Sequence, residues 1–191
     1  MNISFENFLN IIFQNNIVFY YFLGICPLLS FAGNVDSAIG MGIAVLFTTV
    51  ITAPINWAIY QNILVPFDMQ NYQLLVFILI IAAFVQFLEM IIEKFYPAYY
   101  DVFGIFLPLI TVNCAILGVS IFSITKVNHF HEAVFFAFSS GTGYLFAMII
   151  ISGIKKNLIF SKPPEYIGNT GIVLIIAGIV SLFLSSVAGI R

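Results

Sequence analysis

The chain has 191 residues, of which 62% are hydrophobic and 7% charged. Soluble domains carry about 25% charged residues, so this composition cannot cover a water-facing surface, and it suits a lipid-facing one. A formal charge of −2 leaves no basic face for nucleic acid.

Along the chain, Met1 to Asn16 carry Glu6 and no Lys or Arg, so a cleaved signal peptide is not expected. Apolar runs long enough to cross a hydrocarbon core of about 30 Å then follow one another. Six spans can be drawn, at roughly 11–33, 37–64, 71–95, 98–124, 130–154 and 168–190. Breakers mark the joints: Asn34 and Asp36, Pro66 and Asp68, Pro97, Asn128 to Glu132, and the charged, proline-bearing stretch Ser161 to Glu165. The expected fold is all-α, a single integral membrane domain over residues 1–191.

The chain also repeats. A shift of 95 lays Leu79-Ile80-Ile81-Ala82 on Leu174-Ile175-Ile176-Ala177, Val85 on Val180, Ala38 on Ala133 and Ile39 on Val134. Three crossings end on the opposite side, so two three-helix units (about 11–95 and 98–190) form an inverted 3+3 repeat. Such folds place the working site near the bilayer midplane, at discontinuous helices. Here those would be the first and fourth. Lys94, Lys155, Lys156 and Lys162 fall on one face and Lys126 and Arg191 on the other, which puts the first face in the cytoplasm and both termini outside.

The only two cysteines sit in the two segments expected to break. Gly24 and Pro27 flank Cys26, while Gly104 and Pro108 precede Thr111, Asn113 and Cys114. Proline removes a backbone donor and glycine admits unusual angles, so neither stretch suits an uninterrupted helix. One cysteine in a membrane helix is ordinarily a small buried hydrophobe. Two, at similar depth in equivalent spans, invite another reading, because thiolates ligate soft metals and iron–sulfur clusters. At membrane depth a disulfide is the less expected use. Two thiolates cannot complete a four-cysteine cluster, so any such cluster needs a second chain. The cysteines are 88 apart, seven fewer than the repeat shift, and the stretch Ser123 to His131 is expected to hold the difference.

Gly24-Ile25-Cys26-Pro27-Leu28-Leu29 and the long run Gly104 to Gly118 resemble the signature of one family of membrane subunits. It comprises the E subunit of the sodium-translocating NADH:quinone reductase (Nqr) and the A subunit of the Rnf ferredoxin:NAD oxidoreductase. The resemblance covers nearly the whole chain, including Val85 to Met90 and Ser140-Gly141-Thr142-Gly143. It implies a [2Fe–2S] cluster inside the membrane, with Cys26 and Cys114 at two ligand positions. A homologous six-helix partner of opposite topology would supply the other two cysteines. The cluster would relay electrons between cytoplasmic redox domains and a flavinylated component on the outer face of a bacterial inner membrane. FMN, FAD and further Fe–S centres would lie in other subunits, and electron flow would drive Na+ or H+ transport. Cys26-Pro27, the short connection Leu64 to Leu74 and Leu117-Gly118-Val119 are similar to the Rnf protein. Pro54-Ile55-Asn56, Ser140 to Gly143 and Pro163-Pro164 are similar to the Nqr protein, and the balance leans slightly to Rnf. The competing function is a cofactor-free secondary transporter, another use of inverted repeats with broken helices.

Among the remaining polar residues, Glu89 is expected to snorkel to the interface and Asn56 to satisfy backbone freed by Pro54. Gly24, Thr111 and Asn113 are candidates for a shell around the sulfurs, with helix packing the alternative for Thr111 and Asn113. Gly40, Gly42, Gly141 and Gly143 should allow close helix approach. His129 and His131, two apart in a short loop, read as surface residues rather than a metal site. No nucleotide-binding glycine loop, catalytic triad or zinc motif is present.

Overall fold

The computed structural model describes residues 5–13, 15–31, 35–95, 106–160 and 169–188, and every regular element among them is helical. The first span is in two pieces, α1 (Phe5–Phe13) and α2 (Ile25–Phe31). The second is α3 (Val35–Ile59), prolonged by a π-helical turn at Tyr60–Leu64. The third is α4 (Gln73–Phe95), entered through a 3-10 turn at Gln70–Tyr72. The fourth is again in two pieces, α5 (Phe106–Thr111) and α6 (Cys114–Lys126). The fifth and sixth are α7 (Phe130–Phe160) and α8 (Asn169–Ala188).

The order broken, long, long thus occurs twice, with the interruptions in the first and fourth spans as expected. Four stretches among the described residues are long and apolar enough to cross a membrane: Val35–Leu64, Gln70–Ile91, Pro108–Lys126 (counted across its break) and Phe130–Asn157. Gly171–Leu184 is a shorter apolar helix. The first span starts at Phe5 rather than near 11, because Phe5, Phe8, Leu9 and Ile12 recur at helical spacing although Glu6, Asn7 and Asn10 lower the local hydropathy. Pro97, Gly104 and Ser161 to Glu165 lie outside the described residues.

The bundle is built on the crossing of α3 and α7. A methyl group on Gly42 would lie 3.3 Å from the Cα of Leu145, and one on Gly141 would lie 3.2 Å from the Cα of Leu46. The same Gly-x-x-x-Leu spacing on each helix therefore packs reciprocally against the other. Pairing 42 with 145 and 46 with 141 also means that the two helices run antiparallel, as the second helices of inverted units must. Membrane helices associate by van der Waals fit, since lipid is as apolar as Leu, and the bare glycines supply that fit. Gly143 packs against Ile12 and Asn16 instead, while Gly40 meets nothing within 4 Å, so the close approach expected of it does not occur.

The third helices carry the repeat differently. Phe77, Ile81 and Val85 form the buried stripe of α4, and Ile172, Ile176 and half-buried Val180 form that of α8, each pair 95 apart. Leu75, Leu79, Leu182 and Phe183 face outward.

Two further expectations need correction. The seven residues separating the cysteine spacing from the repeat shift do not lengthen the loop before α7, which is only residues 127–129. They extend the helix: from its cysteine to its end α6 has 13 residues (Cys114–Lys126) where α2 has 6 (Cys26–Phe31). Asn56 does not serve the backbone near Pro54; its Nδ2 donates to Ser120 Oγ on α6 at 2.9 Å, tying the two units together. A carboxamide can reach either target, and a facing hydroxyl at that depth decides the matter.

Candidate functional site

In a bilayer an unpaired backbone group costs several kcal/mol, so each break must be offset by identifiable partners. Residues 15–24 form the first break. Asn16, 1% exposed, spans it: its Nδ2 donates to the Ile12 carbonyl at the end of α1 (2.8 Å) and to the Gly143 carbonyl of α7 (2.9 Å), and its Oδ1 accepts from the Val18 N–H (3.0 Å). Ser181 Oγ of α8 donates to the Phe19 carbonyl at 2.6 Å. The chain then turns sharply, with Phe22 at φ 54° and Gly24 at φ 80°. A non-glycine residue in that region stores strain of order 1–3 kcal/mol and persists only where its surroundings over-determine it.

Gly24 is where the two breaks meet. Its N–H donates to Cys114 Sγ at 2.9 Å, and its carbonyl accepts from the Tyr144 hydroxyl at 3.2 Å. The second break is shorter and largely self-sufficient. Thr111 ends α5; Asn113 is extended (φ −73°, ψ 112°) and caps α6, its Oδ1 accepting from the Ala115 N–H at 3.0 Å. Cys114 is therefore the first residue of α6, at the helix end that faces the break. Cys26 lies in the first turn of α2.

Both thiols are free, Cys114 half-buried and Cys26 exposed. Gly24 holds Cys114 through its N–H and Tyr144 through its carbonyl, and Cys26 follows it by two residues. Tyr144 is 1% exposed and is the largest fully buried side chain among the described residues. Val112, beside Cys114, is 80% exposed, so the protein surface at the two breaks is open rather than sealed by this chain. Among the described residues no group of three or more His, Cys, Asp or Glu could hold a metal ion unaided.

The structure thus brings Cys26, Cys114, Gly24 and Asn113 into one neighbourhood, with half-buried Thr111 at its margin. Asn113 commits its oxygen to the cap of α6. Its Nδ2, buried beside the Tyr144 hydroxyl, closes no well-formed hydrogen bond among the described residues. Glu89 is half-buried on α4, accepting from exposed Gln86 at 3.4 Å. His129 and His131 are exposed and stacked at 5.5 Å, as surface residues. Sequence reasoning missed Asn16, Ser181 and Tyr144. Asn15-Asn16 is a legible helix stop, whereas nothing distinguishes Tyr144 among nine tyrosines.

Beside the first break lies a cavity of about 120 Å³ lined by Asn7, Asn10, Asn15, Tyr21, Lys126 and Ser140 among others. The Asn10 Oδ1 there is buried without a partner among the described residues. The space is roomy enough for ordered water.

A sequence model of the family described as "Rnf-Nqr subunit, membrane protein" matches residues 4–190. The chain is 40% identical to the E subunit of the Na(+)-translocating NADH-quinone reductase of Hahella chejuensis, covering 97% of this chain and 98% of that one. It is 41% identical to the A subunit of the ion-translocating oxidoreductase complex of Azoarcus sp., covering 92% and 91%. To the corresponding protein of the Salmonella paratyphi B complex it is 37% identical over 96% and 95%.

Proposed function

The chain belongs to the Rnf-Nqr family of membrane subunits, and on that premise we propose that it is the electron-transfer membrane subunit of an ion-translocating oxidoreductase complex. Cys26 and Cys114 supply two of the four thiolates of an intramembrane [2Fe–2S] cluster. A homologous six-helix partner of opposite topology supplies the other two. The chain is a multi-pass protein of the bacterial inner membrane with both termini on the outer side. FMN, FAD and further Fe–S centres belong to other subunits, one of them flavinylated.

The observation that carries this reading is the 2.9 Å hydrogen bond from the Gly24 N–H, in the first break, to Cys114 Sγ, in the second. It joins the two cysteine segments at one point, with a donor already directed at sulfur. The residues present fit a shared cluster. The thiols are free and reachable, Val112 leaves the adjoining surface bare, and the described residues offer two ligands rather than four. Bound there, the cluster would supply one-electron transfer at membrane depth. The protein's own part is to hold two thiolates at helix breaks and direct the Gly24 N–H at one of them.

The test is cluster content in the intact complex. Cys26→Ser and Cys114→Ser should each abolish the intramembrane [2Fe–2S] signal and interrupt electron flow while the bundle assembles, because Ser fills nearly the same volume. Full iron, sulfide and spectral content in the Cys26→Ser plus Cys114→Ser complex would refute the reading.

A further inference from the structure

We propose, on the reading that Cys26 and Cys114 ligate the cluster, that Tyr144 is a positioning residue. It holds the Gly24 peptide so that the Gly24 N–H stays on Cys114 Sγ, and it thereby raises the reduction potential of the centre.

Three contacts converge on Gly24. Its carbonyl accepts from the Tyr144 hydroxyl at 3.2 Å. Its Cα packs against the Tyr144 ring so tightly that a methyl group there would come within 2.6 Å of Cε2. Its N–H points to Cys114 Sγ at 2.9 Å. The left-handed backbone, φ 80°, is what lets the carbonyl turn to one partner and the N–H to another. Left to itself a glycine visits many such states about equally. Here the tyrosine selects one.

Tyr144 is well placed for that task. It lies on α7 one turn beyond Gly141, whose contact with Leu46 belongs to the α3–α7 crossing at the centre of the bundle. It is 1% exposed, and its hydroxyl donates to the Gly24 carbonyl at 3.2 Å. The neighbouring glycine, Gly143, is fixed in turn by Asn16 through its carbonyl at 2.9 Å. The phenol is therefore held rigidly and reaches the sulfur through Gly24.

The electrostatic consequence has a definite sign. An N–H directed at a ligand sulfur stabilises the extra negative charge that arrives on reduction, so it raises the potential. Removing the Tyr144 hydroxyl orphans the Gly24 carbonyl in a water-poor interior. The peptide then turns toward another donor, and the sulfur loses its own.

The experiment is a redox titration, followed by electron paramagnetic resonance, of the whole complex carrying Tyr144→Phe, which removes one oxygen atom. Loss of one hydrogen bond of ordinary strength predicts a fall of about tenfold in the one-electron reduction constant, about 59 mV, with cluster content unchanged. An unchanged or raised midpoint at full cluster content overturns the proposal, even if thermal stability drops, because a merely structural tyrosine would do that. Such a result, combined with loss of signal in Cys26→Ser, would leave the cluster reading standing. A signal that survives Cys26→Ser plus Cys114→Ser would sink that reading instead. Should Tyr144→Phe fail to assemble, wild-type complex in which only this chain carries 15N-glycine decides. A peptide nitrogen coupled to the reduced centre is expected, and none would overturn the Gly24 relay.

Discussion

Gly24→Ala isolates the position on which both breaks depend. The substitution adds one methyl group, and its cost has two parts. A left-handed conformation costs a residue with a Cβ about 1–2 kcal/mol. The new methyl would lie 2.6 Å from Tyr144 Cε2 and 2.8 Å from the Ala115 Cβ. Neither neighbour can retreat, since Tyr144 is fully buried and Ala115 is in the first turn of α6. Overpacking of this kind costs about 1–3 kcal/mol. The sum is about 2–5 kcal/mol, and at this chain length each kcal/mol lowers Tm by about 2–4 °C. Gly40→Ala is the internal control: Gly40 is helical, meets nothing within 4 Å, and should gain about 0.5–1 kcal/mol. Thermal unfolding of both variants in one detergent should therefore move in opposite directions. If Gly24→Ala unfolds at the wild-type temperature, the left-handed turn and its packing are not as described, and the contact to Cys114 falls with them.

Asn16→Ala should destabilise by about 3 kcal/mol in the same assay, one ordinary increment for each of its three hydrogen bonds. Gly42→Val and Gly141→Val should each cost about 1–3 kcal/mol through the α3–α7 crossing, whereas Gly40→Val should cost less than either. A double-mutant cycle on Asn56 and Ser120 should give a coupling of about 0.6 kcal/mol, the scale of buried side-chain hydrogen bonds between membrane helices. In the chain freed from its complex, a membrane-permeant maleimide should label exposed Cys26 faster than half-buried Cys114, which is already hydrogen-bonded. Equal rates would contradict that difference in access.

The broken first and fourth spans were legible because Gly, Pro and Cys cluster there against an otherwise uniform apolar background. The stripe shared by α4 and α8 was legible too, since Ile81 and Ile176 hold the same register. Other features escaped because they depend on what faces a residue. Asn56 could have served its own helix, and only the presence of Ser120 opposite decides otherwise. Gly40 and Gly42 look alike in sequence, yet one meets Leu145 and the other nothing. Tyr144 acts on Gly24 across 120 residues of chain, a relation that no local pattern encodes.

The two breaks differ in what they need, and the difference bears on how the chain folds. The second is two residues long and carries its own remedy, since Asn113 caps the helix it precedes. The first, at residues 15–24, is held by partners far along the chain: Gly143 at a separation of 127, Tyr144 at 120 and Ser181 at 162. Until those partners are in the membrane, the Phe19 and Gly24 carbonyls lack the donors that satisfy them in the finished fold. Unpaired groups at several kcal/mol each are not tolerated in hydrocarbon. The N-terminal segment must therefore wait at the interface, or cross as a different helix, until the sixth span arrives. The segment carrying Cys26 is synthesised before the partners that complete it, and it is the last to reach its final form. The Gly24 contact to Cys114 can form only when both units of the repeat are complete.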